Sequence, residues 1–113
     1  MLPAQNRLKK ARDIAKVYKK GVYGGAGMLS VKAAKTGKPH SRLVVIVAKK
    51  ISKKAVVRNR IRRRIVEFLR ITWGTVTPGY DIIVTAHQDI SEITRPDLES
   101  ATIKALKRAG VIS

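Results

Sequence analysis

The stretch Arg42-Leu43-Val44-Val45-Ile46-Val47-Ala48, followed after a short lysine-rich gap by Ala55-Val56-Val57-Arg58-Asn59-Arg60-Ile61-Arg62-Arg63-Arg64-Ile65-Val66-Glu67-Phe68, decides how this chain folds. The first part is a continuous β-branched run, the pattern of a central strand buried on both faces. In the second part the apolar period changes from two to helical. Val57, Ile61, Ile65, Phe68 and Leu69 fall within one sector of about 120° at 100° per residue, the core stripe of a surface helix. A second buried run, Tyr80-Asp81-Ile82-Ile83-Val84-Thr85-Ala86, is introduced by the Pro78-Gly79 turn. Strand, helix and strand in this order predict a parallel crossover.

Working outward, Ile14, Val17 and Tyr18 at i, i+3, i+4 predict a short helix over Arg12–Lys20 that Gly21 stops. Val22 to Gly27, rich in glycine, reads as a flexible connection. Met28 to Ala33 alternates apolar Leu29, Val31 and Ala33 with polar Ser30 and Lys32, a strand covered on one face with the other open to solvent or a partner. Lys35 to Ser41 reads as a hairpin loop. Thr94-Arg95-Pro96-Asp97 has the form of a capping box with proline in the first turn. It opens a last helix with Leu98, Ala101, Ala105, Leu106 and Ala109 inward and Gly110 as its stop.

At 113 residues and 44% apolar content, the chain reads as a single domain over 1–113, burying about 60–70% of its unfolded surface. The absence of cysteine removes disulfides, thiolate zinc sites and Cys nucleophiles together. The first residues, Met1-Leu2-Pro3-Ala4-Gln5-Asn6, lack the apolar core of a signal peptide, and no apolar run approaches the ~18 residues of a membrane span. The expectation is a soluble, cytoplasmic protein with no membrane partner.

The net charge of +18 lies far beyond the magnitude of about 2–8 that serves solubility in a small domain. It is also unevenly placed. Of 25 lysines and arginines, only Arg95, Lys104, Lys107 and Arg108 follow residue 80, whereas of seven acids only Asp13 and Glu67 precede it. Five arginines occupy the seven positions 58–64. On a helix Arg58/Arg62, Arg60/Arg64 and Arg60/Arg63 are neighbours, each pair costing roughly 0.2–0.5 kcal/mol. Glu67 can relieve Arg63, Arg64 and Arg70 only. A phosphate backbone would remove the remaining repulsion and release counterions as it did so. Arginine's planar fork suits phosphate better than lysine does. Arg58, beside the stripe near the helix start, can reach past the helix end or lay its stem over the core. Asn59 reads either as a late N-cap or as an amide that bonds RNA or fixes its arginine neighbours.

No catalytic constellation is present in the sequence. His40 and His87 read as ordinary loop and strand-end residues, and the carboxylates show no spacing for metal chelation or paired acid–base chemistry. An amphipathic helix on an anionic membrane is disfavoured because the apolar stripe is needed to cover the strands. A DNA major-groove reader is disfavoured because the helix lies between strands of a sheet.

The segment Ala55-Val56-Val57-Arg58-Asn59-Arg60-Ile61-Arg62-Arg63, preceded by Lys49-Lys50-Ile51, resembles the Arg-Asn-Arg signature of the bacterial ribonuclease P protein subunit. Asn6-Arg7-Leu8-Lys9-Lys10 with Asp13 and Val17-Tyr18 is similar to that family's N-terminal segment, and Pro78 to Val84 to its strand after the basic helix. The resemblance spans nearly the whole chain. It implies an α/β (α+β) two-layer sandwich, a four-stranded mixed sheet with three helices in the order α-β-β-β-α-β-α. A left-handed βαβ crossover is implied with it, in the ribosomal protein S5 domain 2-like fold, against the usual right-handed rule.

The resemblance also implies a division of labour. The RNA subunit, with Mg2+ at its active site, cleaves the 5′ leader from precursor tRNA, and the protein holds no catalytic residue, metal or cofactor. Carried over by position, Arg58, Asn59, Arg60, Arg62 and Arg63 would contact ribonuclease P RNA, with Lys49, Lys50, Lys53 and Lys54 in support. Lys10, Ile14, Tyr18 and Lys32 would line a cleft for the leader. Ile14 replaces a frequent phenylalanine and Lys32 stands where an aromatic often does, so the resemblance implies leader binding that leans on charge. The alternative from another class is a structural RNA-binding protein of ribosomal type.

Overall fold

The structure, a computed structural model, describes residues 2–112. Three helices, α1 (Ala11–Lys20), α2 (Ala55–Ile71) and α3 (Arg95–Arg108), accompany four strands, β1 (Val22–Gly25), β2 (Leu29–Lys35), β3 (Arg42–Val47) and β4 (Tyr80–Ala86). The strands form one mixed sheet in the order β1-β2-β4-β3. β1/β2 and β2/β4 are antiparallel and β3/β4 parallel, so the crossover through α2 joins neighbouring strands.

Period-two alternation divides the sheet's two faces. Leu43, Val45 and Val47 of β3 and Ile82 and Val84 of β4 point to the face covered by Ile61, Ile65 and Leu69 of α2 and by the apolar side of α3. This pairing of sheet and helices is the sandwich implied above. On the opposite face Ile83 packs with Leu8 and Val17, flanked by Ile14, Val44 and Ile46, so α1 lies across the sheet there. The cap on α3 is as read: Thr94 accepts from the Asp97 N–H at 3.3 Å. Gly110, at φ +82°, ends the helix in a conformation that side chains resist.

Three expectations are corrected. β3 is an edge strand, and the interior strands are β2 and β4, of which β4 is buried on both faces. The outer edge of β3 is covered by the N-terminal segment, where Arg7 bridges Leu43 and Leu8 donates to the Leu43 carbonyl at 2.9 Å. Residues 36–41 are not a hairpin, because β4 inserts between β2 and β3. They clamp the entry to β4 instead: Thr36 donates to the Gly79 carbonyl at 2.8 Å and the Ser41 hydroxyl to the Thr77 carbonyl at 2.6 Å. Finally, Val22–Gly25 is a strand. A Cβ on Gly24 would lie 2.3 Å from the Ala105 carbonyl oxygen and 2.5 Å from the Ala109 nitrogen, so glycine lets the backbone of β1 touch α3.

Candidate nucleic-acid interface

The apolar stripe of α2 holds as read, with Ile61, Ile65 and Leu69 buried and Val57 and Phe68 half-buried. Its arginines separate into two groups. Arg64 donates through Nη1 to the carbonyls of Ile90 (2.9 Å) and Ser91 (3.1 Å) and through Nη2 to that of Ile93 (2.7 Å), tying the loop before α3 to the helix. Arg58 reaches back past the helix start to the Ser52 carbonyl at 2.8 Å. Arg70 pairs with Glu67. Their hydrogen bond lowers the Glu67 pKa and raises that of Arg70. Arg58 and Arg64 are thus engaged by backbone carbonyls, and Arg70 by an acid of its own helix.

Arg60, Arg62 and Arg63 face outward. Arg62 donates to the Asn59 side-chain oxygen, which supports the reading of Asn59 as an amide that fixes an arginine neighbour. Arg63 is exposed and has no hydrogen-bond or ion-pair partner among the described residues. Arg60 lies 3.4 Å from Glu92, an acid that the sequence reading did not bring to this helix. With side chains 52% and 79% exposed, that pair contributes at most about 1 kcal/mol and yields readily to phosphate. Lys49, Lys50, Lys53 and Lys54 are all exposed in and after the turn that enters α2, and no side chain caps that helix start. Val56, 71% exposed, adds an apolar spot beside Arg60 that charge-based reasoning passed over.

On the other face of the sheet, Lys10, Ile14 and Tyr18 follow one flank of α1 at four-residue spacing. Ile14 is half-buried over the sheet and Tyr18 is 47% exposed. The Lys32 ammonium donates to the Tyr18 carbonyl at 2.7 Å, which fixes it at the negative end of α1. Lys10 precedes the first turn, about 12 Å away along the axis. The structure therefore brings Ile14, Tyr18 and Lys32 together and leaves Lys10 at the far end of the strip. Tyr23, in the strand read as a flexible connection, pairs across the sheet with Lys32 and is 62% exposed. Its ring lies over Gly25, where a Cβ would come within 2.9 Å of the tyrosine oxygen. A second aromatic besides Tyr18 thus flanks Lys32, in a cleft where the resemblance implied binding that leans on charge.

A sequence model of the family described as Ribonuclease P matches residues 2–110. The chain belongs to the ribonuclease P protein family. A ribonuclease P protein component of Roseiflexus castenholzii is 38% identical over 107 residues, covering 94% of this chain and 87% of that one. One from Alkaliphilus oremlandii is 33% identical over 112 residues, covering 99% and 97%. Among solved structures, the Staphylococcus aureus RNase P protein superimposes with a TM-score of 0.84 at 31% identity, covering 96% of this chain and 98% of that one. The Thermotoga maritima RNase P protein gives 0.81 at 28%, covering 90% and 96%.

Within this ribonuclease P protein fold, α2 and α1 present their two surfaces on opposite faces of the sheet. No group of three or more His, Asp or Glu side chains stands close enough to hold a metal ion among the described residues, and no described helix is long and apolar enough to cross a membrane.

Proposed function

We propose that this chain is the protein subunit of ribonuclease P, binding the catalytic RNA through the outward face of α2 and the 5′ leader of precursor tRNA along the Ile14–Tyr18–Lys32 strip of α1 and β2. The observation that carries the reading is the outward group of arginines: with Arg58, Arg64 and Arg70 engaged by the fold, Arg60, Arg62 and Arg63 still point at solvent beside four exposed lysines. Asn59 orients the Arg62 fork, which reduces the rotamer freedom lost when it meets a phosphate. Magnesium ions in the RNA partner supply the Lewis-acid chemistry of cleavage. The protein binds, orients and neutralises.

Tyr18 and Tyr23 offer two faces for stacking, each worth about 1–3 kcal/mol per base, and the Lys32 ammonium between them meets the backbone phosphate. The test is the affinity of reconstituted holoenzyme for precursor tRNAs with progressively shorter leaders. Affinity should fall as the leader shortens, and Tyr23→Ala should reduce the leader-dependent part by roughly 1 kcal/mol or more while Tyr23→Phe retains it. Affinity that ignores leader length in the presence of the protein would refute the leader-binding role.

A further inference from the structure

α1 divides its face of the sheet in two, and the half away from Tyr18 holds a groove of about 450 Å³ that none of the residues assigned above lines. Lys16 and Lys20 of α1 form one wall, and Lys35 and Lys38, at the end of β2 and in the loop after it, form the other. On the floor Arg42 grips Asp81 with both arms of its fork, Nε to Oδ1 at 2.8 Å and Nη2 to Oδ2 at 2.6 Å, while its remaining nitrogen lies 3.5 Å from Asp13. The two carboxylates of the groove are therefore already matched to an arginine. The four lysine ammonium groups have no ion-pair or hydrogen-bond partner among the described residues.

Five cations against two carboxylates, in a concavity, is not what a merely solvated surface needs. Like charges repel least when spread over convex surface, and here they are gathered around one channel. The gathering is also held rigid. Thr36 bonds the Gly79 carbonyl through its N–H (2.8 Å) and its hydroxyl (3.2 Å), and the Lys38 N–H bonds the Thr36 hydroxyl at 3.1 Å. The loop that follows Lys35 and carries Lys38 is thus pinned to the start of β4. Flexible lysines around the Arg42–Asp81 pair, with no aromatic among the lining residues, can contact phosphates but offer no platform on which a base stacks.

We propose that this groove is a second nucleic-acid site, which holds a phosphodiester strand by its phosphates without regard to sequence. The strand comes either from the leader or from the RNA subunit. Only that choice of source rests on the subunit reading above.

The experiment compares two variants with the same change in net charge, Lys20→Ala/Lys35→Ala in the groove and Lys104→Ala/Lys107→Ala on α3, by the salt dependence of binding to a short oligouridylate. Each lost single-strand phosphate contact lowers the log–log salt slope by about 0.7, so the groove variant should lose about 1.4 and the α3 variant should match the wild type. Lys20→Arg/Lys35→Arg should retain the slope. Equal losses in the two alanine variants would overturn the proposal, since net charge alone would then account for the effect. The same variants in holoenzyme identify the source. A defect confined to precursor tRNA with a long leader assigns the strand to the leader, and a defect in binding RNA subunit alone assigns it to the subunit. If wild-type chain fails to bind the RNA subunit at all, the functional reading falls while the oligouridylate comparison still decides the groove.

Discussion

Arg64 lies in the middle of the most basic segment of the chain, yet its environment predicts that replacing it harms folding and not RNA binding. Arg64→Leu keeps the apolar stem over the core and removes a guanidinium that donates to three carbonyls, those of Ile90, Ser91 and Ile93. Hydrogen bonds involving a charged group contribute roughly 1.5–3 kcal/mol each, and a carbonyl left buried without a partner costs about 1–3 kcal/mol. Ile90 and Ser91 are buried residues, so water does not freely replace the lost donors. The three bonds share one group and are not additive, which brings the expected destabilisation to about 2–4 kcal/mol. With a urea slope of about 2 kcal/mol/M, the middle of the range for small domains, the unfolding midpoint should fall by about 1–2 M. Under conditions where the variant remains folded, the salt slope of RNA binding should equal that of wild type. An unchanged midpoint together with a slope reduced by about 0.9, the loss of one duplex-type phosphate contact, would refute the reasoning and return Arg64 to the RNA-facing group.

The converse holds for Arg60→Ala/Arg63→Ala: unchanged thermal unfolding, with the salt slope for the RNA subunit reduced by about 0.7–0.9 per lost contact, read by filter binding across a salt series. Gly24→Ala drives a methyl into the backbone of α3, 2.3 Å from the Ala105 oxygen, and should cost about 1–3 kcal/mol by calorimetry. Gly74→Ala, with nothing within 4 Å, should stay within about 0.5 kcal/mol of wild type. Asp89 accepts from the Ser91 hydroxyl and N–H, and these bonds lower its pKa below 3.8. Because the folded pKa is depressed, the stabilisation is present above the unfolded value and is lost as pH falls through the folded one. Asp89→Ala should therefore destabilise at neutral pH, and the difference from wild type should fade below about pH 3.8 in acid-unfolding curves.

What the sequence displayed was whatever local period and capping determine. The helical spacing of Ile61, Ile65 and Leu69, the buried run of β4 and the Thr94 cap each depend on neighbours in the chain, and each stands in the structure. The errors arose where a distant segment decides. Gly24 and Gly25 break a strand on propensity alone; the approach of α3 explains the first and the overlying Tyr23 ring the second. β3 looks central because it is β-branched throughout, but residues 7 and 8 cover its edge and β4 takes the middle. Thr102, polar by type, is fully buried because its hydroxyl returns to the Leu98 carbonyl at 2.8 Å. At the candidate interface the total charge was legible and part of its allocation too: Arg58 reaches past the helix start and Asn59 fixes an arginine neighbour, as read. The anchoring of Arg64 was not, because the carbonyls it meets, those of Ile90, Ser91 and Ile93, lie 26–29 residues further along the chain.

The measurement that bears most directly on the subunit reading is cleavage of a precursor tRNA with a 5′ leader by cognate ribonuclease P RNA at limiting magnesium, with and without this chain and with the Arg60→Ala/Arg63→Ala variant. The account predicts that the wild-type chain accelerates cleavage at the mature 5′ end, that the variant does so far less, and that the chain alone is inert. No acceleration by a folded wild-type chain, with tight binding to unrelated structured RNA, would contradict it and favour a structural RNA-binding role.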